Sequence, residues 1–190
     1  MRTEETVDRG LVEAARRGDR EAFEALAIGI SGRLYGVARL ILRDTHLAED
    51  AVQETLVNAW RSLPSLRDPD RFDAWIYRLV LNACNDVRRD RHRMSAEVNV
   101  VEIRHPSVDD RSAIEDRELL ERGFRHLRDE HRVAVVLHYY LGLPAWEVAE
   151  ILGVPKGTAK SRIHYATEAL RAALEADART LPAAAGEGRR

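Results

Sequence analysis

Apolar residues recur at intervals of three and four along almost the whole chain, and this spacing constrains the fold more than any other feature. It places apolar side chains on one side of an α-helix, whereas a half-buried strand alternates them at every second residue. A few residues near "VNVVEI" come nearest to alternation, but no run sustains it. The pattern therefore predicts an all-α protein.

Four helices are expected in the first half of the chain. Gly18 ends the first, and Asp19 and Asp44 are placed to cap the second and third. The fourth follows the two prolines of "SLPSLRDPD" and carries one apolar stripe. The stripe consists of Phe72, Trp75, Ile76, Leu79, Ala83 and Val87. These helices predict a first small domain over residues 1–93.

Helical periodicity fails after this domain and returns later. Residues 94–121 hold eight acidic residues against three arginines, a net charge of about −5. We expect a flexible acidic linker over residues 94–112 and a second small helical domain over residues 113–178. The final residues 179–190 are small, rich in helix breakers and expected to fray.

Composition argues against several classes of protein. The formal charge is −2, so any affinity for nucleic acid must come from local basic patches. Cys84 is the one cysteine, which excludes an internal disulfide and suits a reducing compartment. The acidic N-terminus does not resemble a signal peptide, and no stretch approaches 18 uncharged apolar residues. We expect a cytoplasmic protein without membrane insertion.

Motifs of catalysis and of cofactor binding are missing from the sequence. There is no Walker loop and no dinucleotide fingerprint. His126, His131 and His138 lack the i, i+4 spacing of paired metal ligands, and Cys84 has no evident catalytic partner. The sequence predicts no enzyme activity, no metal and no cofactor.

The segment "PAWEVAEILGVPKGTAKSRIHYATEALRAAL" has the pattern of a helix-turn-helix. Gly153 fits the turn, and Ala159, Ile163 and Ala166 form one packing face of the second helix. The N-terminal turns of such a helix can enter the major groove of DNA. The residues available to contact DNA are Lys156, Thr158, Lys160, Ser161, Arg162, His164 and Tyr165. The alternative is an ordinary helical hairpin with a solvated polar face.

A second polar surface is expected where the fourth helix ends in "NDVRRDRHR". Its exposed face contains Asn82, Asn85, Arg88 and Arg89, whose side chains can bind phosphates and base edges. Aromatic residues nearby could stack on unpaired bases: these are Trp75, Tyr77 and His92. For Trp75 we favour packing in the core, because it belongs to the apolar stripe. The role of Tyr77 stays open.

These blocks together resemble one family, the bacterial extracytoplasmic-function sigma factors, which direct RNA polymerase to promoters. "LAEDAVQETLVNAWRSL" is similar to the family's region 2.2, and "RFDAWIYRLVLNACNDVRR" to regions 2.3 and 2.4. "LRDEHRVAVVLHYYLGLPAWEVAEILGVPKGTAKSRIHYATEALR" is similar to region 4 throughout. The resemblance covers nearly the whole chain outside the linker and the tail.

The resemblance implies partners and a role for each surface. Region 2.2 would bind the β′ coiled coil of core RNA polymerase through Asp50, Gln53, Glu54 and Asn58. The fourth helix would recognise the minus-10 element and the helix-turn-helix the minus-35 element of promoter DNA. The polymerase β subunit is a further expected partner, and an anti-sigma factor is expected to regulate the chain.

Two other functions are compatible with parts of the sequence. A stand-alone helix-turn-helix transcriptional regulator would leave the polar face around Gln53 and the arginine-rich end of the fourth helix unexplained. A helical scaffold would leave both basic faces simply solvated. Binding to core polymerase separates both alternatives from a sigma factor.

Overall fold

The computed structural model describes residues 7–97, 123–125 and 127–180 of the chain, and over these residues it contains helices and no strand. Side chains are described within these ranges except at 92, 94–97 and 177–180. The all-α prediction is confirmed. The helices are α1 (Arg9–Arg16), α2 (Arg20–Leu42), α3 (Thr45–Ser62), α4 (Phe72–Glu97), α5 (Asp129–Val135), α6 (Ala145–Leu152) and α7 (Lys156–Thr180).

Aspartates begin the first three helices. The side chain of Asp19 accepts a hydrogen bond from the Ala22 amide at 3.1 Å, and Asp44 accepts one from the Leu47 amide at 3.1 Å. Each satisfies one of the amides that a helix start leaves without an intrahelical partner. Both predicted caps are therefore confirmed. Gly18 lies between α1 and α2 with a φ of 93°, a conformation that glycine adopts without a steric penalty.

The helices α1 to α4 form an N-terminal unit in which α2 packs against the other three. By length and composition alone, α2 is long and apolar enough to cross a membrane. Its residues Leu26, Ile30, Leu34, Val37 and Ile41 are buried against neighbouring helices at helical intervals. This face of α2 packs as a core helix does, and that packing explains the apolar residues on it.

The predicted stripe of α4 is only partly correct. Trp75, Leu79 and Val87 are half-buried, whereas Tyr77 and Val80, which were not in the stripe, are buried. The reason is that α4 packs on two sides, against α2 and α3 within its own unit and against α6. A helix with neighbours on two sides buries a wider sector than one stripe. Tyr77 is 5% exposed, so its ring is not accessible to a base while α6 packs on α4.

The helices α5, α6 and α7 form a C-terminal unit. α5 continues into a π-helical turn (Val136–Tyr140), and α6 and α7 are joined at Gly153, whose φ is 65°. Val154 donates an amide hydrogen bond to the Ala149 carbonyl at 3.0 Å across this turn. Ala149 is buried, so the two helices approach closely there. The predicted helix-turn-helix is confirmed in its turn and in its two helices.

The two units pack against each other over the described residues. α6 contacts α4, and the π-helical turn contacts α2. α4 continues to Glu97, into the first residues of the range predicted as linker. α7 likewise continues to Thr180, into the first two residues of the tail predicted at 179–190. The rest of the linker range, residues 181–190 of the tail, and Ile114, Leu119 and Leu120 lie outside the described residues.

Candidate nucleic-acid interface

The outer face of α7 carries polar side chains that point away from the core. Lys156, Lys160, Ser161, His164 and Tyr165 are exposed. The opposite face is buried, with Ala159 and Ala166 at 0% and Ile163 at 7% exposure. The helix is thus anchored on one side and accessible on the other, as its sequence predicts.

Two aromatic rings surround Tyr165 on this face. The His131 ring of α5 stacks on it with centroids 6.2 Å apart, and the neighbouring His164 ring lies 5.6 Å from it. Tyr165 remains 60% exposed. The ring thus contacts two imidazoles and keeps most of its surface accessible to solvent.

Arg162 differs from the other residues predicted on α7. Its guanidinium donates to Glu130 Oε2 at 2.7 Å, and its side chain is only 24% exposed. Thr158 is half-buried. In this conformation Arg162 ties α7 to α5, so it is less available to an external ligand than the two lysines.

The polar face of α4 also follows the prediction in part. Asn82, Asn85 and Arg89 are exposed, whereas Arg88 is half-buried and forms an ion pair with Asp129 at the start of α5. Burial lowers the pKa of Arg88. Arg89 pairs within α4 with Asp86. All four residues predicted to bind DNA on α4 therefore lie on one helix face, and Arg88 among them contacts the C-terminal unit.

The side chains at the α4 face and at the start of α5 line a common cleft of about 560 Å³. Its wall on the α4 side includes Asn85, Arg88 and Arg89, and the opposite wall includes Glu130 and Arg162. The structure thus brings predicted residues of both DNA-binding surfaces to the two sides of one cleft. The sequence did not predict this arrangement.

The polar face of α3 lies on the outside of the N-terminal unit. Asp50, Gln53 and Glu54 are exposed, and Asn58 is half-buried. The opposite face is formed by small buried side chains such as Ala51 and Ala59. The helix packs against α2 and α4 and leaves a continuous acidic and amide surface accessible.

Arg132 is a structural residue that the sequence analysis missed. It is 8% exposed and donates to the carbonyls of Phe124 at 2.9 Å, Leu127 at 2.9 Å and Ile41 at 3.3 Å. Desolvation, with smaller effects of Arg43 and Arg88, lowers its pKa to about 10. Ile41 lies 91 residues away near the end of α2, so no local signal in the sequence could have indicated this contact.

Two ionisable side chains of the N-terminal unit, Cys84 and Tyr77, are buried. Burial raises the pKa of the Cys84 thiol to about 12, and Cys84 is fully buried. Burial likewise raises the pKa of Tyr77 to about 12. Among residues 7–97, 123–125 and 127–180 there is no group of three or more His, Cys, Asp and Glu side chains that could hold a metal ion.

Comparison with known families matches both units in order. Residues 30–94 match the family model "Sigma-70 region 2", and residues 117–170 match "Sigma-70, region 4". Both units therefore belong to the sigma-70 class of transcription factors.

Characterised relatives define the class further. The chain is 34% identical over 159 residues to the ECF RNA polymerase sigma factor SigM of Mycobacterium tuberculosis, covering 83% of this chain and 80% of SigM. It is 30% identical over 176 residues to SigW of Bacillus subtilis, covering 86% of this chain and 94% of SigW. The chain belongs to the extracytoplasmic-function sigma factors, which confirms the resemblance seen in the sequence.

Solved structures agree with this fold. CnrH, solved in complex with the cytosolic domain of CnrY, is 29% identical with a TM-score of 0.70, over 90% of this chain and 98% of CnrH. The sigma factor RpoE of Bartonella quintana is 24% identical with a TM-score of 0.71, over 82% of this chain and 98% of RpoE. The chain is a sigma factor that binds core RNA polymerase and directs it to promoters, and the stand-alone regulator is not favoured.

Proposed function

We propose that the outer face of α7 recognises the minus-35 promoter element. Lys156, Lys160 and Ser161 lie in its first turns, where side chains reach base edges and helix amides favour phosphate. His164 and Tyr165 extend the same exposed face, and Thr158 and Arg162 lie at its border. The observation that supports this assignment best is the contrast between this accessible face and the buried Ala159 and Ala166 behind it.

The face of α4 is assigned to the minus-10 element. Asn82 and Asn85 supply amide groups for base edges, and Arg88 and Arg89 supply charge for phosphates. Sigma-directed opening exposes unpaired bases, which are bound by hydrogen bonds and stacking. Tyr77 is buried while α6 packs on α4, and the half-buried Trp75 is the more accessible of these two aromatic residues of α4.

The face of α3 is assigned to the polymerase. Asp50, Gln53, Glu54 and Asn58 form an acidic and amide surface that is complementary to a basic partner helix, for which the β′ coiled coil is the candidate. The C-terminal unit is assigned a contact with the β subunit. The chain performs no catalytic step itself, and we place it in the cytoplasm with the polymerase.

A protein partner that inhibits the chain is part of this proposal. CnrH was solved in complex with the cytosolic domain of CnrY, and an anti-sigma factor that covers the α3 face would prevent polymerase binding. Pull-down from native cells should recover such a partner beside polymerase. Recovery of polymerase alone would contradict a dedicated inhibitor.

The experiment for the polymerase surface is charge reversal on α3. Glu54→Arg places a positive charge in the centre of the exposed acidic face, and Glu24→Arg makes the same change on an exposed position of α2. We expect Glu54→Arg to weaken binding to core polymerase by about tenfold or more, because like charges then oppose each other. Equal binding by the two variants would refute the assignment of this face.

A further inference from the structure

Tyr165, on the third turn of α7, is an aromatic side chain left open on a face that is otherwise polar. It is 60% exposed, although Ala166 beside it is buried. Tyr165 lies one helical turn after Ser161, so these two side chains form one row along the helix. His164 and Lys160 form the adjacent row. The tyrosine ring is therefore part of the surface that α7 presents on its outer side.

His131 of α5 gives this ring a neighbour from outside its own helix. The two rings stack with centroids 6.2 Å apart and planes 26° apart, a separation at which aromatic pairs attract each other. The side chain of His131 is 20% exposed, whereas Tyr165 is 60% exposed. The imidazole is therefore the inner member of the pair, and the phenol ring is the outer member.

The backbone that carries His131 is anchored by the residues on either side of it. Arg132 follows it, is 8% exposed and donates to the Leu127 carbonyl at 2.9 Å. Glu130 precedes it and accepts a hydrogen bond from Arg162 of α7 at 2.7 Å. The start of α5 is thereby tied both to the preceding segment and to α7. Packing against an anchored neighbour leaves an exposed ring fewer orientations, and this lowers the cost of ordering it on binding.

Charges near Tyr165 favour an uncharged partner over a phosphate. Arg162 pairs with Glu130 at 2.7 Å. Arg171 pairs with Glu168 at 3.0 Å, so each of these two arginines is balanced by a carboxylate. Both lysines of the chain lie more than one turn before the tyrosine. A phosphate beside Tyr165 would approach both carboxylates, whereas a base edge carries no net charge.

The major groove offers one apolar group at the base edges, the 5-methyl group of thymine. The other groups there are hydrogen-bond donors and acceptors, which suit Lys160 and Ser161 in the preceding turn. The carbon atoms of a phenol ring can cover a methyl group and remove it from water. Burial of one such group changes binding by about fourfold.

We propose that Tyr165 determines specificity for a thymine of the minus-35 element by packing its ring on the 5-methyl group, and that His131 is a positioning residue for this ring. The assignment rests on the proposed role of α7, and it adds the base that the third turn of α7 reads. Periodicity does not indicate His131, because it lies on a different helix from Tyr165.

The test compares thymine with deoxyuridine, which lacks only the 5-methyl group. The probe is a fluorescent duplex that carries a promoter located by run-off transcription, with each thymine of its minus-35 element replaced in turn on either strand. Fluorescence anisotropy at one fixed salt concentration measures binding of the holoenzyme formed by the full-length chain and core polymerase. We expect deoxyuridine at one position to weaken binding of the native holoenzyme by about fourfold.

Variants of the two rings assign this methyl effect. Tyr165→Ala should bind the thymine duplex about fourfold more weakly or worse and should not distinguish the two bases, whereas Tyr165→Phe keeps the ring carbons and the distinction. His131→Ala should reduce the distinction, and His131→Phe should restore it by supplying another ring for stacking. Tyr139→Ala is the matched control, because Tyr139 is an exposed tyrosine beside the His138 ring and lies outside α7. It should distinguish the two bases as the native chain does.

Several results would overturn the proposal. The thymine contact fails if no minus-35 thymine shows a methyl effect, or if Tyr165→Ala retains that effect. It also fails if Tyr165→Phe loses affinity while the methyl effect is unchanged, because the hydroxyl group then binds a phosphate. The positioning role fails if His131→Ala, with its helices intact by circular dichroism, keeps the full methyl effect, or if His131→Phe does not restore it.

Lys160→Ala separates this proposal from the proposed function of α7. If Lys160→Ala binds the same duplex as tightly as the native chain, the assignment of α7 to the minus-35 element fails. If Lys160→Ala binds more weakly and no thymine shows a methyl effect, that assignment stands and only the role of Tyr165 is overturned.

Discussion

Arg132 offers the sharpest test of how the chain is held together. Its guanidinium donates to the carbonyls of Phe124, Leu127 and Ile41 and lies 3.2 Å from Asp129 Oδ1. Arg132→Met keeps much of the apolar volume and removes all of these donors. The Leu127 and Ile41 carbonyls then lose the donor that Arg132 supplies, whereas the Phe124 carbonyl keeps the Leu127 amide at 3.3 Å. Arg132 is 8% exposed in the native chain, so solvent replaces these donors poorly.

The expected loss of stability follows from the groups left behind. A buried acceptor without a partner costs about 1–3 kcal/mol, and removing one partner of a buried charged network costs about 3–5 kcal/mol. Burial of the charged guanidinium carries a desolvation penalty, which is the main reason that the pKa of Arg132 is lowered to about 10. Arg132→Met removes this penalty, so part of the loss of stability is offset. We expect Arg132→Met to lower the free energy of unfolding by about 3 kcal/mol. Arg132→Lys should lose less, because one ammonium can still reach part of the carbonyl set.

Urea unfolding followed by circular dichroism measures this loss. Arg125→Met is the control, since Arg125 is exposed in the same segment of the chain. It should change the unfolding midpoint little. If Arg132→Met and Arg125→Met unfold at the same urea concentration, the hydrogen bonds of Arg132 do not stabilise the fold and the reasoning is refuted.

Three further predictions test other parts of the structure. Gly32→Ala should raise the melting temperature, since no neighbouring side chain lies within 4 Å of the new Cβ and alanine favours a helix over glycine by about 0.5–1 kcal/mol. Gly36→Ala should not raise it, because the new Cβ would displace Tyr140. Equal gains in the two variants would contradict the contact between Gly36 and Tyr140. The pKa of Tyr77, raised from 10 to about 12 by burial, gives stability that is present below pH 10 and is lost as the pH rises through 12. Tyr77→Phe should therefore lose less stability than the native chain between about pH 10 and pH 12, and parallel urea midpoints would contradict this. Lys160→Ala should weaken transcription from a minus-35-dependent promoter by about tenfold with polymerase binding unchanged, whereas loss of polymerase binding would make α7 an interaction surface.

Local features of the structure could be predicted from the sequence. Helix caps, the turn at Gly153 and the two faces of α7 depend on residues within a few positions of each other, so periodicity and capping preference are sufficient to find them. The exposed polar face of α3 was predicted from the same helical periodicity. The roles assigned to these faces came from the family resemblance, and they remain predictions until the variants are measured.

Long-range contacts could not be predicted. The wider buried sector of α4, including Tyr77, arises because α6 packs on it from another part of the chain. The pairs of Arg88 with Asp129 and of Arg162 with Glu130 join residues that are far apart in sequence. Periodicity reports only that such side chains are polar. It does not report whether their partner is water, DNA or another helix of the same chain.

Run-off transcription tests the central claim most directly. The purified chain is added to core polymerase of its source bacterium with genomic DNA fragments as templates, and core polymerase alone is the control. A sigma factor should produce discrete transcripts that start at defined positions and are absent from the control. If the chain neither binds core polymerase nor yields a discrete transcript from any fragment, it does not act as a sigma factor.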